Sequence, residues 1–275
     1  FNMRMIDLLR HTSGLTYGLQ NRTEIDAAYR REGLDEFHRA MDADAFIARL
    51  AALPLEFAPG TAWNYSVSTD VLGIVIERLS GRRLEDFLTE RVFAPLGMND
   101  SAFTVPADRI GRLTDVWMRS ADGRMALFDR GARSRWRFTP KFVSGGSGLV
   151  TSIDDYHRFC RMMLNGGALD GIRILKPETV GMMTVNQLPG GKALDALSQS
   201  NFSEAEGPGL GFGLGIALTL ATGSYFWGGI FSTFFQVDPG ERSIVILMTQ
   251  MMSSQALPLH RQLSAMLGAP TGEAA

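Results

Sequence analysis

A serine becomes an acyl-transfer nucleophile only beside a base, and two spacings commonly deliver one. The Gly-x-Ser-x-Gly elbow is approached by Gly145-Gly146-Ser147-Gly148-Leu149, which fails at its last position. The alternative, Ser-x-x-Lys, sets an amine one helical turn from the hydroxyl. Basic residues are lopsided, with only three lysines, Lys141, Lys176 and Lys192, and the residues three before them are Phe138, Arg173 and Pro189. No Ser-x-x-Lys therefore occurs within the 275 residues.

Metal chemistry has even less support. His11, His38, His157 and His260 are far apart, with no His-x-x-x-His pair and no cysteine partner at zinc spacing, so neither a metal nor another cofactor is implied. His11, beside Thr12 and Ser13 at a helix end, reads as a structural hydrogen-bonding residue at a C-terminus, where a cation is favoured. The single cysteine, Cys160, excludes an internal disulfide; between Phe159 and Arg161 in a helix it reads as a small buried hydrophobe. Arg130, Arg133, Arg135 and Arg137 around Trp136 could bind phosphate, but the net charge of −2 favours a solvated loop and argues against a nucleic-acid partner.

The elements that must position any site fall into two regions. With 45% hydrophobic and 20% charged residues the composition is that of a globular protein, and no apolar run reaches the roughly 18 residues of a membrane span. Up to residue 208 the pattern is mainly helical. Helices are expected near 43–53, with Phe46, Ile47 and Leu50 on one face, and near 69–80, stopping at Gly81; another follows through Leu84 and Leu88 and closes before Pro95. Ser152 with Asp155 resembles a capping box, and Pro177 suits a first helical position. From Leu210 to Leu220 bulky residues alternate with Gly211, Gly213, Gly215, Ala217 and Thr219, which predicts one strand. A turn at 221–224 leads into a segment extended from Tyr225 to Val237, Asp238-Pro239-Gly240 turns the chain back, and Arg242 to Gln250 forms a third strand. Tight turns make these strands antiparallel. The expectation is one α+β domain over 1–268: a helical region at 1–208, strands at 209–252, a closing helix at 253–268, then a loose tail at 269–275.

Eight strings, taken in order, resemble the serine β-lactamase and penicillin-binding-protein superfamily, in the branch of class C β-lactamases and family VIII carboxylesterases. They are Asp7-Leu8-Leu9-Arg10-His11-Thr12-Ser13-Gly14-Leu15, Phe57-Ala58-Pro59-Gly60, Tyr65-Ser66-Val67, Pro95-Leu96-Gly97-Met98, Ser144-Gly145-Gly146-Ser147-Gly148-Leu149, Leu164-Asn165-Gly166-Gly167, Thr184-Val185-Asn186-Gln187 and Trp227-Gly228-Gly229. The resemblance implies a β-lactamase-like fold and three motifs meeting in a cleft. Its Tyr-x-Asn motif falls on Tyr65-Ser66-Val67. A phenol, with a reference pKa near 10, becomes a usable base where an ammonium stabilises the phenolate. The resemblance gives that role to the lysine of Ser-x-x-Lys, makes Tyr65 the catalytic base, and sets Ser66 and Val67 in the substrate pocket. Its Lys-Thr-Gly motif falls on Trp227-Gly228-Gly229, where bare glycines admit substrate to the strand edge and the Ile230 N–H serves as an oxyanion donor.

The departures point to a substrate. Val67 stands where β-lactam-processing members carry a carboxamide, and Trp227 where they carry a lysine. An apolar side chain donates nothing to an amide, and an indole offers one neutral N–H where an ammonium would pair with a carboxylate. The expectation is a carboxylesterase acting on small, short-chain esters through an acyl-enzyme. Its nucleophilic serine and lysine would lie upstream, because the resemblance places the Ser-x-x-Lys helix and two strands before the His11-Thr12-Ser13-Gly14 region, and Phe1 leads straight into a helical pattern as if inside a folded domain. A β-lactamase or D,D-peptidase, and a non-catalytic ligand-binding member of the fold, are the alternatives. Nothing in the sequence sets an oligomeric state, and a cytoplasmic location is the default.

Overall fold

The computed structural model describes residues 2–34, 41–120, 122–201, 208–252 and 263. Helices dominate its first half. α1 (Met5–Leu9) is followed by α2 (Glu24–Glu32), whose N-terminus is a reciprocal box between Thr23 and Asp26 and whose end is Gly33 at φ 65°. α3 (Ala43–Ala51) starts at Asp42, which accepts from the Ala45 N–H, and buries Phe46 and Leu50. α4 (Ser68–Ser80) ends at Gly81, near the expected bounds. α5 (Leu84–Leu88) does not close before Pro95: a π turn (Thr89–Phe93) carries it into α6 (Ala94–Leu96), accommodating the N–H that proline lacks, and Gly97 ends the run. α7 (Ile153–Leu164) and α8 (Pro177–Met183) complete the described helices.

The helix-rich stretch also carries strands that the periodicity did not announce. β1 (Val116–Arg119) and β2 (Met125–Asp129) form an antiparallel pair, and β3 (Ala168–Leu169) with β4 (Ile172–Arg173) a second, smaller one. The main sheet follows in simple chain order: β5 (Leu210–Phe212), β6 (Ala217–Thr219), β7 (Tyr225–Gly228), β8 (Phe234–Asp238) and β9 (Ser243–Leu247), all antiparallel. A short β10 (Met251–Met252) leaves that sheet to pair in parallel with β1.

Two expected strands prove to be hairpins. The run 210–220 folds back on itself, because Gly213 donates to the Ile216 carbonyl at 2.8 Å and Gly215 takes φ 85°. Its small residues are not a bare face either. A Cβ on Gly213 would lie 2.0 Å from the Met183 carbonyl, so the glycine admits the chain after α8. Likewise 225–237 is not continuously extended but turns through 229–233. The third strand is shorter than 242–250, ending at Leu247 before β10. The expected closing helix and the tail at 269–275 lie outside the described residues, apart from residue 263.

Three apolar clusters hold these layers together. Cys160, Met162 and Met163 of α7 pack with Leu218, Tyr225 and Val237 beneath the sheet. Burial pushes the Cys160 thiol up to about 12, so it behaves as the inert hydrophobe its setting suggested. The second cluster joins Leu8, Leu15, Tyr29, Phe46, Val67 and Ile74. The third, built on Trp63, Leu188, Leu194, Phe212 and Ala217, carries Tyr65 and Trp227 on its partly buried margin. Helices flanking an antiparallel sheet give the expected α+β arrangement.

Candidate active site

Tyr65 lies in an irregular segment leading into α4, and that segment is tied on both sides. Trp63 exchanges backbone hydrogen bonds with the 197–199 stretch, donating to Leu197 and accepting from Gln199, each at 2.9 Å. Asn64 donates through its N–H to the His11 carbonyl at 2.9 Å and through its side chain to the Leu15 carbonyl at 3.1 Å. The Gln20 amide bridges Asn64 Oδ1 at 2.6 Å and the Tyr65 carbonyl at 2.8 Å. These bonds hold the backbone on either side of Tyr65 and so fix where its ring leaves the segment. It meets His11 at 4.9 Å, Tyr17 at 5.2 Å and Trp227 at 5.0 Å between centroids.

The fold thus brings Tyr65 and Trp227, 162 positions apart in sequence, into ring contact. Trp227 sits in β7 opposite Phe235, and its indole also meets the Phe212 ring edge-on at 5.6 Å. Gly228 pairs with Phe234, and the chain then turns. Gly229 donates to Thr233 O at 2.8 Å, and Ser232 donates to Gly229 O at 2.9 Å. A Cβ at Gly229 would stand 2.2 Å from Thr233 Oγ1, so the residue is small because Thr233 crosses the turn. Among the described residues the Ile230 N–H meets no acceptor, which leaves it available as a donor.

Ser66 and Val67 go elsewhere than the expected pocket. Ser66 is fully buried, with Oγ 3.2 Å from His11 Nδ1 and 2.8 Å from Ser68 Oγ, which in turn lies 2.8 Å from Ser13 Oγ. Val67 is equally buried, inside the second apolar cluster. The reason is geometric: Val67 is the N-cap of α4, and entering a helix there turns residues 66 and 67 into the body of the protein.

His11 also departs from expectation. Its backbone takes φ 56°, and its ring is buried among Trp63, Tyr65 and Phe212. Burial drives its pKa down to about 3, so the imidazole is neutral rather than the cation favoured at a helix end. Its neighbours Asp7, Arg10 and Thr12 form their own network, with Arg10 bonded to Asp7 at 2.9 Å, to Thr12 at 3.0 Å and across the fold to the Gln187 carbonyl at 2.8 Å. Salt bridging and hydrogen bonds from Arg4 and Arg10 outweigh burial and hold the Asp7 carboxyl below its usual range.

The stretch 144–148 closes over the start of α4. Ser144 donates to buried Asp70 Oδ1 at 2.5 Å, and Ser147 donates to Ser144 Oγ at 3.1 Å. Gly145 has no room for a side chain, since a Cβ would lie 2.1 Å from the Thr69 carbonyl. Asp70, Tyr17, Gln20 and Asn64 carry no recognisable spacing in the sequence; they are found only by the distant groups they hydrogen-bond. No group of three or more His, Cys, Asp or Glu side chains among the described residues could hold a metal ion, and no described helix is long and apolar enough to cross a membrane.

Comparison with known proteins agrees with this fold. A family model described as Beta-lactamase matches residues 1–266. Protein Rv1367c of Mycobacterium tuberculosis is 32% identical over 258 residues, covering 89% of this chain and 61% of that protein. Esterase EstB of Burkholderia gladioli is 36% identical over 192 residues, 63% of this chain and 46% of that one. Among solved structures, EstCE1, a hydrolase with promiscuous acyltransferase activity, superposes with a TM-score of 0.75 at 26% identity, over 92% of this chain and 68% of its own. Simvastatin synthase (LovD) of Aspergillus terreus gives 0.73 at 27%, over 92% of this chain and 64% of its own. The chain therefore spans about half to two thirds of the length of these relatives.

Proposed function

The chain belongs to the Beta-lactamase family, and on that premise we propose that it supplies the base and the substrate-facing strand of a serine carboxylesterase acting on small neutral esters. The observation that carries the reading is the ring contact between Tyr65 and Trp227 at 5.0 Å, beside a turn whose Ile230 N–H is unengaged. The nucleophilic serine and its lysine come from a Ser-x-x-Lys segment outside these 275 residues.

In this scheme the serine hydroxyl attacks the ester carbonyl while Tyr65 Oη takes its proton. The carbonyl oxygen gains charge and is stabilised by the Ile230 N–H together with the serine's own N–H. The intermediate collapses, the alcohol leaves with the proton returned by Tyr65, and an acyl-enzyme remains. Tyr65 next removes a proton from water, which attacks the acyl carbon; as the acyl–serine bond breaks, Tyr65 returns that proton to the serine oxygen and the acid is released. An alcohol in place of water gives acyl transfer by the same steps, and the names of relatives such as Monacolin J acid methylbutanoyltransferase support that variant. The neutral indole of Trp227, where β-lactam-processing relatives carry a cation, supports an ester over a penicillin.

The test is turnover of p-nitrophenyl butyrate by the 275 residues alone and by a protein that joins them to a Ser-x-x-Lys segment. The joined protein is expected to be active, and to lose roughly 10²- to 10⁴-fold on Tyr65→Phe. Turnover by the 275 residues alone that vanishes on Tyr65→Phe would place the nucleophile inside the chain and overturn the scheme. Faster hydrolysis of nitrocefin than of the ester would overturn the substrate assignment.

A further inference from the structure

A peptide group is planar, so whatever fixes its carbonyl also aims its N–H the opposite way. The Gly229 carbonyl accepts the Ser232 N–H at 2.9 Å, and this bond sets the direction of the Ile230 N–H. Ser232 itself holds φ 58°, a left-handed conformation that costs a serine unless its surroundings offset it, and this reversal brings Thr233 O to the Gly229 N–H at 2.8 Å.

Those surroundings come from a different element. Thr249, between β9 and β10, points its hydroxyl at two successive carbonyls of the turn: Ser232 O at 2.8 Å and Phe231 O at 3.0 Å, sharing one proton between them. Met251 N–H donates to the same Phe231 carbonyl at 3.0 Å, and Ser232 Oγ donates to Met251 O at 3.0 Å. Ser232 is buried, so few water molecules can replace these partners. Met251 is in turn fixed by the parallel pairing of β10 with Trp117 in β1. Besides its own two strands, the turn is tied to the rest of the fold by these bonds to Thr249 and Met251 and by Phe231, whose ring meets Phe128 at 6.2 Å and Trp136 at 6.3 Å.

We propose that Thr249 is a positioning residue: its hydroxyl anchors the Phe231 and Ser232 carbonyls and so fixes the turn that aims the Gly229–Ile230 peptide at the developing oxyanion. This rests on the reading of Ile230 as an oxyanion donor. Thr249 touches neither substrate nor base. Its loss should weaken stabilisation of the tetrahedral intermediate while leaving the binding of a neutral ester almost intact.

The experiment uses the protein that carries the Ser-x-x-Lys segment, with Thr249→Val, Thr249→Ser and Tyr65→Phe. Thr249→Val removes the donor at nearly constant volume, and Thr249→Ser keeps it. Deleting an oxyanion donor outright costs on the order of 10²- to 10³-fold in kcat, so a misaimed one should cost on the order of 10-fold, with KM within about twofold. Thr249→Ser should restore most of the rate, and the preference for an oxygen ester over its thionoester should shrink in Thr249→Val and return in Thr249→Ser. Amide exchange supplies a readout without turnover: the Ser232 N–H should exchange faster in Thr249→Val, with the β8 amides unchanged. Should Thr249→Val unfold the protein, exchange and kinetics of Thr249→Ser against Thr249→Ala decide in its place, with the hydroxyl again tracking the rate. Unchanged kcat in a folded Thr249→Val, or a loss that Thr249→Ser does not relieve, overturns the proposal. Full activity in Tyr65→Phe would instead overturn the catalytic scheme beneath it, so the two failures are distinct.

Discussion

The imidazole of His11 meets the phenol ring of Tyr65 edge-on, with 4.9 Å between centroids, while its Nδ1 faces Ser66 Oγ at 3.2 Å. A charged ring would be incompatible with this setting, because Trp63 and Phe212 enclose its remaining sides. The neutral imidazole thus forms one wall behind the candidate base.

That wall makes stability sensitive to acid. The His11 pKa is lowered from about 6.5 unfolded to about 3 folded, so below pH 6.5 the unfolded chain binds a proton that the native one refuses. Stability should be full above pH 6.5 and fall as the pH drops, with His11 contributing at most about 1.4 kcal/mol per pH unit. Urea unfolding at pH 7.0 and pH 5.0 measures this in a window where carboxylates are still ionised in both states. A His11→Gln variant should show a smaller difference between the two pH values; an equal difference would mean that His11 is accessible to protons in the native state.

Much of this site was legible, and the reasons for the rest are specific. The strings around His11, Tyr65 and Trp227 announced the fold because each couples a motif to a turn or cap, and their order fixes which elements meet. Periodicity failed at 210–220 because alternation with period two does not register a reversal: Gly213 and Gly215 fit the bare face of a strand and the corner of a hairpin equally well. Ser152 caps α7 as its spacing predicts, accepting from the Asp155 N–H, but the Asp155 carboxylate does not return the bond and accepts from the Asp100 N–H at 2.7 Å and from Ser101 at 2.9 Å. The α2 cap at Thr23 and Asp26 has capping-box spacing, but only Ile25 and Tyr29 mark an apolar face behind it, too few to announce a helix. Gln20, Asn64 and Thr249 serve distant backbone groups, and no local pattern encodes such a partner.

The burial of Val67 bears on any attempt to restore the carboxamide found in β-lactam-processing relatives. Val67 has no exposed surface and caps α4 from within an apolar cluster. Val67→Asn would exchange apolar contact for an amide without partners, a loss of about 2–4 kcal/mol. The urea midpoint should fall accordingly with no gain in nitrocefin binding. An unchanged midpoint would show that the side chain at 67 reaches the cleft after all.

Gly229 is constrained by Thr233. The Cβ of Gly229→Ala would sit 2.2 Å from Thr233 Oγ1, an overlap that should cost about 1–3 kcal/mol as the turn shifts. Thr233→Ala removes that oxygen. The double variant should therefore be more stable than the sum of the two single effects, by on the order of 1 kcal/mol, in thermal or urea unfolding. Simple additivity would point to an obstruction other than Thr233.

Trp227 should control the charge of the preferred ligand. Its indole contacts Tyr65 and Phe212 and carries one neutral donor. Trp227→Lys replaces that donor with an ammonium, and a charge-assisted bond to a carboxylate gains about 1.5–3 kcal/mol. In the protein carrying the Ser-x-x-Lys segment, inhibition of ester turnover by benzylpenicillin should become on the order of 10-fold tighter. The KM for p-nitrophenyl butyrate should rise, because the apolar surface of the indole is gone. The thermal midpoint should also drop, since Phe212 loses an edge contact. If benzylpenicillin inhibits both forms equally, the residue at 227 does not face the ligand's charge, and the preference for neutral esters must be set elsewhere in the cleft.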